Sequence, residues 1–558
     1  MGKNSLSMRM VGWIFALLLC GQATAADELR GPALGAASNF GQGFLADLQT
    51  RSTAVGIIDF RDAVYWDRVE QRDRSYVFDR PDTLYPDVLF DAGATMSLTI
   101  NNGHPDYDDG NTPTSPEGIA GFAHHATETI ARFPAITAIE VGNEFNSANF
   151  VSGPLRNTGL DDRAAAYVAL LKAVWTEAKA ARPDVRIIGG GVHSIPTGYL
   201  KMLLNLGAAD FMDSLALHPY DTPIEHLAAE IAIMRMLPGL EDIPIEITEF
   251  GSQDAGAAPD AFLRSYCQMA LSGVSRAVWY GLNVRGDGYI PLLTRDLQTT
   301  SAWQAFQLAQ IHFEGKPVIN AAPDQFSRAC LFDSRHLVIW GMPRTVIVLA
   351  DDVDVFAATG EGQAGDTFTL SETAPLVFSS DRPLDLKNDF LFADQDVVAD
   401  SYYQFYANGT PAFRRYAETN GIQSAFGLMP GQARSNRPWT PWFGVRNNGD
   451  VRLLPNTLLP AGTVDWPVEV VHEYIAISAL NLNLTAHFEA AERSRDGIHV
   501  TIRLNDILLA ENAGQDPQNF AIDDIALNAG DSLTFAVGPR NDATGDVTDY
   551  RITLRQTP

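Results

Sequence analysis

Residues 243–251 read Ile-Pro-Ile-Glu-Ile-Thr-Glu-Phe-Gly, a short β-branched run. Amphipathic stretches flank it at 224–237 and 258–272, with apolar residues three and four apart. The same unit recurs from about residue 36 to 312. Strand-like runs fall at 38–43, 54–62, 95–102, 136–144, 185–192, 212–220, 243–251 and 274–282, and further helical stretches at 117–133, 161–181 and 299–312. Strands that alternate with helices mark a parallel sheet covered by helices. Eight such units in under 300 residues fit an α/β fold of the (β/α)8 TIM-barrel type better than an open doubly wound sheet.

Beyond Gly315 helical periodicity gives way to strands and turns. Runs at 336–340, 345–349 and 367–370 predict a small β-sandwich over 313–385, and runs at 496–504, 532–537 and 550–554 a second all-β sandwich over 386–558. The barrel is expected over 26–312. The first 25 residues carry Lys3 and Arg9, an apolar run at 13–19 and the ending Ala23-Thr24-Ala25, the pattern of a cleaved signal peptide. That run is too short to span a bilayer and no later stretch replaces it, so the expectation is a secreted or periplasmic protein without membrane insertion. Cys20 follows three leucines and lacks the small residues usual before a lipidated cysteine. Removal of the leader takes two of the 40 Lys+Arg and none of the 68 Asp+Glu, which moves the net charge from −28 to −30. Such a surface repels nucleic acid and anionic membranes. Cys267 and Cys330 are too few for a disulfide framework; they are either a pair or two separate buried thiols.

Barrels of this type carry their chemistry at the carboxyl ends of the strands. The second run ends on Phe60-Arg61-Asp62, the fourth on Val141-Gly142-Asn143-Glu144, the sixth on Leu217-His218-Pro219-Tyr220, the seventh on Thr248-Glu249-Phe250-Gly251 and the eighth on Val278-Trp279-Tyr280. Two glutamates therefore reach one mouth from strands four and seven. Cleavage of a glycosidic bond requires one carboxylic acid to protonate the leaving oxygen and one carboxylate to attack or to activate water. Across a barrel mouth the pair is expected at about 5–5.5 Å, the spacing for a covalent intermediate and retention. Glu249 is then the nucleophile, kept ionised by Arg61 and Tyr220, and Glu144 the acid/base, its pKa raised by the neighbouring charge. Asn143 suits a sugar 2-hydroxyl, and Trp279 offers an aromatic floor. Each residue also has a plainer reading: a strand-end glutamate as a loop salt bridge or helix cap, Arg61 as a bridge to Asp59 or Asp62, Trp279 as a barrel plug. Five suitable groups in order on five strands favour the catalytic reading.

The strand ends Phe60-Arg61, Glu140-Val141-Gly142-Asn143-Glu144, His218-Pro219-Tyr220, Ile247-Thr248-Glu249-Phe250-Gly251 and Trp279 resemble those of clan A retaining glycoside hydrolases. The stretch 61–70, Arg-Asp-Ala-Val-Tyr-Trp-Asp-Arg-Val-Glu, followed by Tyr76-Val77-Phe78-Asp79, is similar to the opening of family 39 and its exopolysaccharide-cleaving relatives. The resemblance covers about 36–312 and implies Glu144 as acid/base and Glu249 as nucleophile, supported by Arg61, Asn143, His218, Tyr220 and Trp279. Gly142 stands where tryptophan is common in that pattern, and Phe145 where proline commonly follows.

Asn101, Asn102 and His104 after the third run, and His193 after the fifth, are either sugar ligands or turn residues. Glu140 is expected as a buried structural carboxylate and His124-His125 as a surface pair without metal-ligand spacing. Trp439, Trp442 and Phe443 are either a sugar-stacking surface or core anchors, and the acidic run 542–549 lacks the spacing of a calcium loop. The expectation is a secreted retaining β-glycosidase of an extracellular polysaccharide or oligosaccharide, without cofactor or metal. The alternatives are a non-catalytic polysaccharide-binding or export-scaffold protein and a transglycosylase.

Overall fold

The computed structural model describes residues 28–406, 411–446 and 448–557. The leader at 1–25 and Cys20 lie outside the described residues, and within these no helix is long and apolar enough to cross a membrane. Eight parallel strands close into a barrel: β1 (Ala33–Ala37), β2 (Asp59–Asp62), β3 (Thr95–Ile100), β4 (Ile136–Val141), β5 (Arg186–His193), β6 (Ser214–His218), β7 (Ile245–Phe250) and β8 (Val274–Trp279). Closure is made where β8 pairs with β1, Arg276 opposite Ala33 and Trp279 opposite Ala36. One main helix follows each strand, at Ala46–Ala54, Pro81–Asp91, Pro116–Arg132, Leu160–Ala181, Thr197–Asn205, Leu227–Arg235, Ala258–Leu271 and Ser301–His312. Ser115 and Thr300 start two of them by accepting from Gly118 N and Trp303 N, as oxygen side chains at helix N-caps do.

The first strand lies earlier than expected. Residues 39–43 turn back on themselves, with Gly43 N donating to Asn39 O and Phe40 O, and the strand is the preceding Ala-Leu-Gly-Ala-Ala. Small residues carry no β-branched signal, so the run is invisible to pattern reading. Likewise β2 is only Asp59–Asp62, because 54 still belongs to the first helix.

Two antiparallel sheets follow the barrel. In the larger, Ala329, Leu331, Leu337 and Ile339 fill the sandwich core, while Cys330, Phe332, Val338 and Trp340 pack into the barrel's own core. This is the two-residue period of a strand with both faces buried. A Cys267–Cys330 disulfide ties the helix after β7 to this sheet. The strand Phe390–Phe392 pairs with Thr345–Val348, which carries this unit past residue 385. The remaining chain forms two larger sheets around a core that includes Leu484, Phe488, Val500, Phe535 and Leu554. Each such large side chain, fully buried, contributes about 1.5–3 kcal/mol.

Candidate active site

Charged groups fill the barrel axis in layers beneath the mouth. In the lower one Arg276 reaches Asp59 Oδ1 at 3.1 Å, Ser97 Oγ at 3.3 Å and Glu246 Oε2 at 3.4 Å. In the upper one Arg61 donates from Nε and Nη2 to the two oxygens of Glu140, at 2.6 and 3.0 Å, and from Nη1 to Glu249 Oε1 at 2.6 Å. Glu140 is fully buried, and burial alone would raise its carboxyl; the Arg61 charge outweighs that and holds it well below the usual range. Asp59 goes to Arg276, and Asp62 accepts from Ser38 and from Phe40 N, so neither competes for Arg61.

Glu249 and Glu144 stand above this layer. A register shift between Ile247 and Phe250 re-aims β7 at its end: Thr248 donates to Glu140 Oε1 at 3.0 Å, Glu249 enters the mouth, and Phe250 packs outward on Phe262. Tyr220 O–H donates to Glu249 Oε2 at 3.1 Å. On β4 the chain turns at Gly142, φ +78°, and Glu144 itself has φ +46°, a conformation that costs a side-chain-bearing residue free energy and clusters at functional sites. A Cβ on Gly142 would lie 3.0 Å from the rings of Phe145 and Tyr167. The two departures from the clan A pattern are thus one arrangement, in which Phe145 occupies the space that a side chain at 142 would need. Carboxylate oxygens of Glu144 and Glu249 and a ring nitrogen of His218 all lie within 4.8 Å of one another.

The proton inventory differs from the expectation for Glu144. His218 Nδ1 lies 2.9 Å and His193 Nδ1 3.3 Å from Glu144 Oε1, and His193 Nε2 lies 2.6 Å from Asp221 Oδ2. Burial lowers both histidines, but the Glu249 charge with bonds to Glu140 and Glu144 brings His218 up to about 9, and bonds to Asp221 and Glu144 do the same for His193. Burial in turn raises Glu144, yet hydrogen bonds from His193 and His218 outweigh it and hold Glu144 down at about 2. In the free cleft Glu144 is therefore a carboxylate flanked by two imidazolium groups, and the expected upward shift is corrected. His218 also contacts Thr248 Oγ1 at 3.0 Å, which continues the chain to Glu140.

The cleft has two lobes that meet at Glu249, Phe150 and Tyr280. One, of about 290 Å³, is lined by Arg61, Asn143, Asn101, Asn102, Gln42 and Arg285 among others. The other, of about 370 Å³, is lined by Glu144, His193, Tyr220, Asp287, Tyr289 and Trp439 among others. Asn143 accepts from Arg61 Nη2 at 3.0 Å, and Asn101 accepts from Asn143 N at 3.1 Å. Two expected ligands are elsewhere. Trp279 is fully buried, its ring against Phe250 and Phe262 and its N–H on Ile290 O, so it is no floor of the cleft; Tyr280, which shares the parity of inward-facing Arg276, lines both lobes instead. His104 is buried against Trp66 and accepts from Asp106 N, which is turn chemistry. His125 is not on the surface either: it stacks on Trp66 and bonds Val64 O, while His124 is exposed. Sequence reasoning missed Asp221, although it directly follows His218-Pro219-Tyr220. It also missed Tyr289, Asp287 and Arg285, on a loop with no periodic signal.

No family model matches the chain, and no curated protein matches it. Among solved structures, a family 39 glycoside hydrolase from the gut symbiont Bacteroides cellulosilyticus WH2 aligns at a TM-score of 0.51 and 16% identity, over 63% of this chain and 81% of that one. The chain shares that enzyme's fold. A family 39 β-xylosidase from Caulobacter crescentus aligns at 0.46 and 15% identity, over 64% and 98% of the two chains, and a family 39 enzyme from Xanthomonas axonopodis pv. citri at 0.43 and 12%, over 93% and 96%.

Proposed function

We propose that the protein is a retaining β-glycosidase that cleaves an extracellular polysaccharide or oligosaccharide by double displacement. The observation that carries this is the facing pair, Glu144 and Glu249, with carboxylate oxygens within 4.8 Å. Oxygens this close fit the roughly 5–5.5 Å between an acid and a nucleophile better than the roughly 6.5–9.5 Å by which inverting enzymes admit a water. Glu249, oriented by Arg61 and Tyr220, attacks the anomeric carbon as the bond to the leaving oxygen breaks. The proton for that oxygen is stored on the imidazoles beside Glu144 and passes through its carboxyl. Water then attacks the glycosyl ester, Glu144 takes its proton, and Glu249 is released. Asn143, fixed between Arg61 and Asn101, faces the sugar 2-hydroxyl.

The likeness in fold to a family 39 glycoside hydrolase supports the same reading. The leader at 1–25 makes it an exported enzyme, secreted or periplasmic, and the N-terminal sequence of extracellular material should start after Ala25. E249A should abolish turnover of aryl glycosides while leaving the fold intact, and added azide should restore it as a glycosyl azide of inverted configuration. Undiminished turnover by E249A refutes the assignment.

A further inference from the structure

The lobe on the Glu144 side is not made by the barrel alone. Residues 430–441, a loop of the C-terminal sandwich, descend onto the mouth, and Trp439 stands edge-on to His193 with ring centroids 4.8 Å apart. The contact is built to close tolerances. Gly431 N donates to Thr197 Oγ1 at 2.9 Å and Gly198 N to Gly431 O at 2.7 Å. A Cβ on Gly198 would lie 2.7 Å from Ala433 Cα, and one on Gly431 2.9 Å from Ile195 O, so neither position admits a side chain. Gln432, 1% exposed, exchanges two hydrogen bonds of 2.8 Å with Asn146, which in turn holds the backbone of His193 at 3.0 and 3.1 Å. The loop is thereby locked to the segment that leaves Glu144, two residues away.

We propose that Trp439, carried by the C-terminal sandwich, is the stacking platform of a leaving-group subsite, so that the enzyme holds at least one sugar ring beyond the bond it cuts. This rests on the glycosidase reading above. The acid must face the leaving oxygen, and Glu144 opens only into the lobe that Trp439 lines, whereas Asn143 and Arg61 open into the other. The departing sugar therefore lies on the Trp439 side. Tyr220, Tyr289 and Tyr280 ring the same lobe with Asp287 at its rim, an apolar wall with a few polar groups that suits the faces and hydroxyls of a pyranose. The ring plane of Trp439 is fixed by contact with His193, and the backbone around it by Gly198, so the platform is formed before substrate arrives.

The experiment compares two substrates of one sugar on the full chain. A methyl glycoside has no ring on the leaving side yet needs the acid as an unsubstituted oligosaccharide does, so a disturbed His193 lowers both alike. β-Glucosyl, β-xylosyl and β-galactosyl fluorides are offered first, and the best one sets the sugar of both. W439A should lower kcat/KM for the oligosaccharide by roughly tenfold more than for the methyl glycoside, and W439F should recover much of that difference. Equal losses on both substrates, or no loss on either, overturn the platform and leave the glycosidase reading standing. Failure of the intact chain to turn over any fluoride or oligosaccharide overturns both.

Discussion

R61M places a neutral side chain of similar length between Glu140 and Glu249. Glu140 is fully buried and takes two of the Arg61 hydrogen bonds, so the variant strands a carboxylate that no solvent reaches. Removal of one partner from a buried pair costs about 3–5 kcal/mol. Nearly all of it falls on Glu140, because Glu249 opens into the cleft and regains water. At roughly 2–3 °C per kcal/mol for a unit of this size, the melting temperature should fall by roughly 6–15 °C near neutral pH. The sign with pH is fixed. In the intact protein Glu140 is held below its ordinary value, so the pair's contribution is present above about pH 4.3 and is lost as pH falls toward the folded value. In the variant burial is opposed only by His218 and the Thr248 hydroxyl, so the carboxyl moves up from its value in the intact protein, and its charge penalises the fold less as pH falls. The deficit should accordingly be widest near pH 7.5 and narrow toward about pH 4.5. Calorimetry or circular-dichroism melts across that range measure both quantities. A shift under about 2 °C, or a deficit constant with pH, refutes the idea that Arg61 chiefly neutralises Glu140. R61M/E140M, which removes both charges, should recover most of the stability and none of the turnover.

D221N removes one of the two carboxylates that raise His193 to about 9, so the basic limb of the kcat/KM profile should move down by roughly one pH unit with little change in KM; an unmoved limb excludes His193 from the proton path. Glu230, buried where the barrel meets the C-terminal sandwich and bonded by Thr222, is pushed up to about 8 by burial. A raised carboxyl favours the fold below its unfolded pKa and loses that advantage as pH climbs to the folded value, so E230Q should gain on the intact protein through about pH 5–8, at up to about 1.4 kcal/mol per pH unit, and level off above. Denaturant melts at three pH values test it, and a pH-independent difference contradicts the buried-acid account.

The strands buried on both faces were readable because they leave continuous apolar or β-branched runs, as in β4 and β7. β1 was not, since it is made of alanine, leucine and glycine. The strand-end groups Arg61, Asn143, Glu144, His218, Tyr220 and Glu249 come together in the mouth because strand termini are fixed by topology. One residue of parity separates Trp279 from Tyr280, and a run of 274–282 does not reveal which face is which. The ionisation of Glu144 depends on where two imidazoles arrive from β5 and β6, which no local pattern encodes. Trp439 is nearly 300 residues from Glu144 in sequence, and its place depends on how two domains dock.

On the proposed reading, Arg61 serves folding through Glu140 and chemistry through Glu249 with one guanidinium. A duplicated gene copy that drifted toward a purely binding role would still be held to Arg61 and Glu140, because losing either one alone costs about 3–5 kcal/mol of stability. Those two residues persisting in a descendant say nothing about turnover. The trace of lost activity would be written instead at Glu249, Glu144 and His193, whose substitution the fold tolerates far better.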